Sequence, residues 1–260
     1  MIKKTFTDQL FSTVEIAFPP KRIISLVPSQ TELLFFLQLD DVIAGITKFC
    51  IHPEKEIKNK PIVGGTKNFW FDAIDRIQPD LIIGNKEENY QEGIEQLALK
   101  YPVWMSDISS IENALQMIRS IGEITDTVSK AESLAKEIEL SFAALMVKNP
   151  AKVVYLIWKS PWMAAGRNTF INSWLSRLGF LNLITESRYP VLSNEQLRQL
   201  NPELVLLSSE PFPFKGNHIQ ELQAILPKAK IMIVDGEMFS WYGNRMLNAS
   251  EYFNCLNFNR

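Results

Sequence analysis

The chain has 260 residues and a mass of 29.8 kDa, with 27 Lys+Arg against 29 Asp+Glu and a formal net charge of −2. Its 46% hydrophobic and 22% charged residues are a globular composition, and the near-balanced charge excludes the basic surface that nucleic acid demands. No apolar run reaches the roughly 18–20 residues of a membrane span, and two cysteines (Cys50, Cys255) with two histidines (His52, His218) exclude a disulfide framework and a histidine-rich metal centre.

Met1-Ile2-Lys3-Lys4 has the charge of an export leader, but Thr5–Gln9 follows where an apolar core belongs, so no export signal is expected from this stretch. Arg22–Val27 then predicts a strand, and Pro28-Ser29 opens a helix whose Ser29-Gln30-Thr31-Glu32 spacing fits a capping box. Further strands are expected at Val42–Thr47, Asp80–Ile83, Pro102–Met105, Lys152–Trp158, Glu203–Leu207 and Lys230–Val234. Helical periodicity fills 88–99, 110–124, 168–179, 194–200, 217–225 and 244–256. Alternation of this kind predicts an α/β fold with mostly parallel sheets.

Residues 126–148 break the rhythm. Val128, Ala131, Ala135, Ile138, Phe142, Leu145 and Met146 recur at three- and four-residue steps, with Asp126 as cap and Asn149-Pro150 as stop. One helix spanning that segment reads as a strut, which divides the chain into a lobe at 1–125, a connecting helix at 126–149 and a lobe at 150–260. A repeat supports two related lobes: Asp72–Ile83 (DAIDRIQPDLII) resembles Glu195–Leu206 (EQLRQLNPELVL). In each copy an acid stands seven residues before a proline, at the start of a short helix.

No catalytic constellation emerges. Gly64-Gly65-Thr66-Lys67 lacks the spacing of a phosphate loop, and there is no nucleophile elbow, metalloprotease motif or C-x-x-C pair. Aromatics are more informative. Phe49, Phe69, Trp70, Trp162, Tyr189, Phe212, Phe214, Phe239, Trp241 and Tyr242 fall in predicted loops, whereas Trp104, Trp158 and Trp174 fall in strands or a helix and are expected in cores. Loop aromatics after strands suit a concave site for a large, flat ligand, which Asn85, Lys86, Arg188 and Glu237 would orient. His52, beside Pro53, is a further polar candidate.

These segments together resemble a known family. RIISLVPSQTELL (22–34), AGIT (44–47) with CIHP (50–53), VGGT (63–66), QPDLII (78–83), GRNTFI (166–171), LNPELV (200–205) and VDGEMFSW (234–241) follow at the spacing of helical-backbone, class III substrate-binding proteins of ABC importers. Within that family they are most similar to the vitamin B12-binding branch. The resemblance implies two Rossmann-like α/β lobes with central, mostly parallel sheets, joined by one long rigid helix, with a ligand cleft between them.

It also implies a function: binding a cobalamin-like corrinoid, or alternatively haem or a ferric siderophore, as transported ligand, with no catalysis, no resident cofactor and no metal of its own. Phe49, His52, Thr66, Asn85, Lys86, Trp162, Arg188, Tyr189, Glu237, Phe239, Trp241 and Tyr242 fall on the ligand side. Thr66 and Asn85 replace tryptophans of cobalamin binders, which leaves room for a different corrinoid or another chelate. Asp72 and Glu195 match the acids that dock onto permease arginines. A monomer outside the cytoplasmic membrane is implied; the missing leader leaves a cytoplasmic corrinoid carrier, or a modifying enzyme on the same scaffold, as the alternatives.

Overall fold

The alternating apolar runs become two sheets, each in its own structural unit. The structure is a computed structural model describing residues 2–142, 145, 151–256 and 258. The first unit comprises Met1–Ile108, Glu112–Glu139 and Tyr242–Arg245; the second comprises Ser109–Ile111, Leu140–Trp241 and Met246–Arg260. The units are therefore not contiguous in sequence, and one division falls inside a helix, between Glu139 and Leu140.

The first unit opens with an antiparallel hairpin, β1 (Ile2–Thr7) and β2 (Thr13–Phe18), in register from Ile2 opposite Phe18 to Thr7 opposite Thr13. Asp8 closes its turn, Oδ1 accepting the Leu10 and Ser12 N–H groups at 2.9 and 2.7 Å. There follow β3 (Ile23–Ser25), α1 (Pro28–Phe36), β4 (Ile43–Ile46), a small hairpin of β5 (Gly64–Gly65) and β6 (Asn68–Phe69), α2 (Phe71–Ile77), β7 (Leu81–Asn85), α3 (Gln91–Ala98), β8 (Val103–Ser106), α4 (Ile111–Ile124) and α5 (Val128–Ser141). Strands β3, β4, β7 and β8 form a parallel sheet in the order β4-β3-β7-β8. Ile24, Leu26, Val63, Phe69, Ile74, Ile82 and Leu97 are buried together against it.

Two expectations need correction here. The capping box at Ser29–Glu32 does not form: Val27 is the N-cap, Pro28 occupies the first helical position, and no side chain caps α1. Glu32 instead makes a two-pronged pair with Arg245, at 2.8 and 2.9 Å, which a carboxylate and a guanidinium favour over a backbone contact. The uninterrupted helix over 126–148 is also shorter. Asp126 takes a left-handed φ of 63° rather than capping, so α4 and α5 are separate helices. Gly122 lets them meet, since a Cβ there would lie 2.4 Å from that of Ala131. The 14 residues of α5 span about 21 Å. Beyond Ser141, Phe142 sits in a 3-10 turn and Leu145 lies outside the helix; the rest of the expected extension, 143, 144 and 146–148, lies outside the described residues. The Phe142 carbonyl accepts from Arg177 Nη2 at 2.5 Å, and its ring packs edge-on against Trp174.

The second unit contains β9 (Lys152–Trp158), β10 (Trp162–Ala164), α6 (Phe170–Arg177), β11 (Leu181–Asn182), β12 (Val191–Leu192), α7 (Asn194–Leu200), β13 (Leu204–Ser208), α8 (Gly216–Ile225), β14 (Lys230–Val234), α9 (Gly236–Ser240) and α10 (Arg245–Cys255). Its sheet runs β12-β10-β9-β13-β14, with β11 also on β9. The β9, β11, β13 and β14 strands are parallel, and β10 runs antiparallel to both of its neighbours, β9 and β12. Both units are thus α/β layers around central parallel strands.

The repeat is structural. Both α2 and α7 end in a left-handed residue, Gln78 (φ 51°) and Asn201 (φ 44°), before the proline. The acid after each proline then ties its chain to the start of the unit's first parallel strand. Asp80 N–H donates to the Arg22 carbonyl at 3.0 Å, and Glu203 N–H to the Lys152 carbonyl at 2.9 Å. Their carboxylates return the bond, Asp80 accepting from Lys21 and Arg22 N–H at 2.8 Å and Glu203 from Lys152 N–H at 3.0 Å.

Candidate functional site

In parallel α/β sheets the loops leaving the C-terminal strand ends form the functional edge, because helices cover both faces. In the first unit this edge has a buried polar floor. Thr31 Oγ1 lies 2.8 Å from Ser25 Oγ and 3.1 Å from Cys50 Sγ, and burial pushes the Cys50 thiol up despite its bonds from Thr31 and Thr47. Asn85, only 1% exposed, is committed to the fold. Its Nδ2 donates to Ser106 Oγ at 3.0 Å, and its Oδ1 accepts the Glu87 and Glu88 N–H groups at 2.9 and 3.1 Å. Thr66 is buried as well, its carbonyl accepting from Asn89 Nδ2 at 3.1 Å.

Above that floor, Phe49 is 50% exposed with the Lys48 ammonium 5.1 Å from its ring. Gly65 admits this placement, since a Cβ there would come within 3.1 Å of the ring. His52 is half-buried, and Lys86 is exposed and pairs with Asp107 at 2.6 Å. Tyr242 belongs to this unit and is buried there. Burial, ahead of the Glu88 and Glu87 charges, drives its phenol well above the usual range. Trp70, 51% exposed, immediately precedes α2. That helix runs back to the start of β7, so its N-terminus stands at the same edge.

In the second unit, Trp158 ends β9 and is 40% exposed, contrary to its expected place in a core. The last residue of a strand emerges from the covered sheet, and its ring meets Phe212 edge-on at 5.5 Å. Phe212 in turn lies 4.8 Å from Phe214 and 5.3 Å from His218. His218 Nδ1 accepts the Lys215 N–H at 2.8 Å, which puts the neutral ring's proton on Nε2 and holds the imidazole in place.

Several expected ligand residues are core residues. Trp162 is not in a loop but opens β10; it is 7% exposed, stacks on Phe214 at 6.3 Å and donates from Nε1 to Asn194 Oδ1 at 2.8 Å. Phe239 is fully buried between Tyr155 and Phe253, at 5.0 and 4.7 Å. Trp241 is buried and donates from Nε1 to Glu210 Oε1 at 3.0 Å. Glu237 is half-buried at the start of α9, near the Glu210 carboxylate. Arg188 and Tyr189 run beside Gly166 and Arg167, with Gly166 N–H donating to the Arg188 carbonyl at 2.8 Å. Arg188 Nη1 donates to the Asn168 carbonyl at 3.1 Å, with its guanidinium carbon 5.7 Å from the Tyr189 ring.

Glu210 escaped the sequence reading because an acid beside a proline in a loop reads as solvated. Its Oε1 accepts from Ser240 Oγ at 2.9 Å as well as from Trp241. Burial chiefly, with the Glu237 and Asp235 charges, raises its pKa against those two hydrogen bonds. Asp72 and Glu195, both exposed, each occupy the second residue of their helices, and Glu195 lies 3.4 Å from Arg198. Among the described residues no cluster of three or more His, Cys, Asp and Glu could hold a metal ion. A separate cavity of about 860 Å³ beside the β1–β2 hairpin has Lys3, Lys86 and Lys100 on its wall. Each is already paired, with Glu15, Asp107 and Asp75.

The model of the periplasmic binding protein family matches residues 23–225. An uncharacterized ABC transporter substrate-binding lipoprotein of Bacillus subtilis, YvrC, is 26% identical over 215 residues, 78% of this chain and 68% of the relative. A vitamin B12-binding protein of Pectobacterium carotovorum is 23% identical over 254 residues, 94% of this chain and 91% of the relative. Among solved structures, the apo periplasmic heme-binding protein RhuT from Roseiflexus superposes with a TM-score of 0.77 at 21% identity, covering 90% of this chain and 97% of the other.

Proposed function

The chain belongs to the periplasmic binding protein family, and on that premise we propose that it is the substrate-binding component of an ABC importer carrying a large, flat metal chelate of the corrinoid class. One observation carries the ligand reading. Of the six tryptophans, the two that stay exposed, Trp70 and Trp158, lie one in each unit, both at strand-end edges. An exposed indole leaves apolar surface in water, and a flat ligand face that covers it recovers that free energy. Phe49 adds a third exposed ring and Phe212 backs Trp158, whereas Thr66, Asn85, Trp162, Phe239 and Trp241 support the fold beneath. The lipoprotein and vitamin B12-binding relatives favour work outside the cytoplasmic membrane and delivery to a permease, with exposed Asp72 and Glu195 as the docking acids. Haem or a ferric siderophore is the alternative cargo.

Titration of the purified chain with cyanocobalamin, dicyanocobinamide, haem and a ferric siderophore, followed by tryptophan fluorescence, tests this. Quenching by a corrinoid at micromolar concentration or below is expected, with Trp70→Ala and Trp158→Ala each weakening it about tenfold or more. Binding of haem or the siderophore alone replaces the ligand class. A folded protein that binds none of them, or that chemically transforms one, overturns the reading.

A further inference from the structure

Glu210 lies two residues beyond β13 and two before Phe212, so one loop presents both a carboxylate and the ring that backs Trp158. The carboxylate is held in one orientation. Ser240 Oγ and Trp241 Nε1 both donate to Oε1, and Gly236 leaves it room, since a Cβ there would lie 2.6 Å from Glu210 Cγ. Among the described residues no protein donor reaches Oε2, and no lysine, arginine or histidine compensates the charge. The groups that face it are Asp235 and Glu237 at the start of α9 and the Tyr155 phenol on β9, all acidic or neutral. Glu210 is half-buried, and Oε2 is not among the buried atoms left without a partner, so an oriented carboxylate in a negative neighbourhood turns one oxygen outward, where a donor from outside the chain can meet it.

We propose that Glu210 selects the ligand: Oε2 receives an N–H group from the rim of the chelate whose face covers Trp158 and Phe212, so that an amide-rimmed ligand is accepted and a carboxylate-rimmed one refused. This rests on the chelate-binding reading and names the chemistry of its cargo. Selection comes from the mismatch as much as from the match, because a ligand carboxylate brought against Glu210 meets like charge in a partly desolvated place.

The test uses two corrinoids that differ in their rim, dicyanocobinamide with its amides and dicyanocobyrinic acid with carboxylates in their place. The wild-type chain at neutral pH is expected to prefer the amide form by at least about tenfold. In Glu210→Gln, which keeps an acceptor for Ser240 and Trp241, that preference falls towards one, mainly because the carboxylate form binds better. Ser240→Ala, which loosens the carboxylate but keeps its charge, retains the preference. An unchanged ratio in a Glu210→Gln protein with wild-type circular dichroism and thermal midpoint overturns the assignment while the site reading stands. So does a wild-type chain that binds both forms equally. Absence of binding by either corrinoid and by haem removes the site reading, and this role with it.

Discussion

Glu210 carries its cost in the unliganded protein. Its raised pKa means that the folded state holds this proton more tightly than the unfolded one, so its contribution to stability falls as pH rises from the ordinary carboxylate range through the raised value. Glu210→Gln is therefore expected to melt above the wild type at neutral pH, with the gap closing as pH is lowered towards about 4.3; paired thermal scans check both the sign and the closure. The residue scale is also where sequence reading was least reliable. Trp158 and Trp162 exchange their expected places because accessibility depends on where a strand ends and what its neighbour strand covers. Trp158 is the last residue of β9, and Trp162 opens an antiparallel strand with no alternation to announce it. Phe239 sits among aromatics of β9 and α10, partners far away in sequence. Phe49 lies in a loop as expected and stays 50% exposed beside Lys48 and the β5 glycine Gly65.

At the scale of elements, the recurring acid–proline–acid phrase was readable because each part has a physical job. The leading acid suits a helix N-terminus, the left-handed residue stops the helix, and the trailing acid staples the chain to the first parallel strand. Asp80 accepts two backbone N–H groups and Glu203 one. Asp80→Ala should therefore cost about 1–3 kcal/mol in urea unfolding and Glu203→Ala less than that, since each lost acceptor leaves a donor to be resolvated. The leading acids predict something different. Reversing both, Asp72→Lys with Glu195→Lys, should leave stability and chelate affinity nearly unchanged, because both are exposed, while slowing association with a cognate permease most at low salt. Unchanged association rates would remove them from docking. The β1–β2 hairpin was hidden because β1 is almost wholly exposed and shows no apolar alternation, only β2 burying Val14 and Ile16. The length of α5 was misjudged because the apolar period continues through Phe142 and Leu145, which serve the core of the second unit rather than the helix stripe.

For the molecule as a whole, fold class was legible from the alternation of short apolar runs with helical periods, and two related units from the repeat. Contacts distant in sequence were not, and the Glu32–Arg245 pair is the clearest case. Both side chains are nearly buried, so Glu32→Ala leaves an uncompensated guanidinium and is expected to cost about 3 kcal/mol or more in denaturant unfolding. A loss below about 1 kcal/mol would class the pair with solvated surface bridges. That pair has a consequence for synthesis. When a ribosome has finished the stretch through Glu139, the first unit already has its strands, but Tyr242–Arg245 has not yet been made. Glu32 then waits without its counter-ion while the entire 140–241 stretch is translated, so the N-terminal half of a nascent chain should stay open to proteases until the closing helix leaves the exit tunnel.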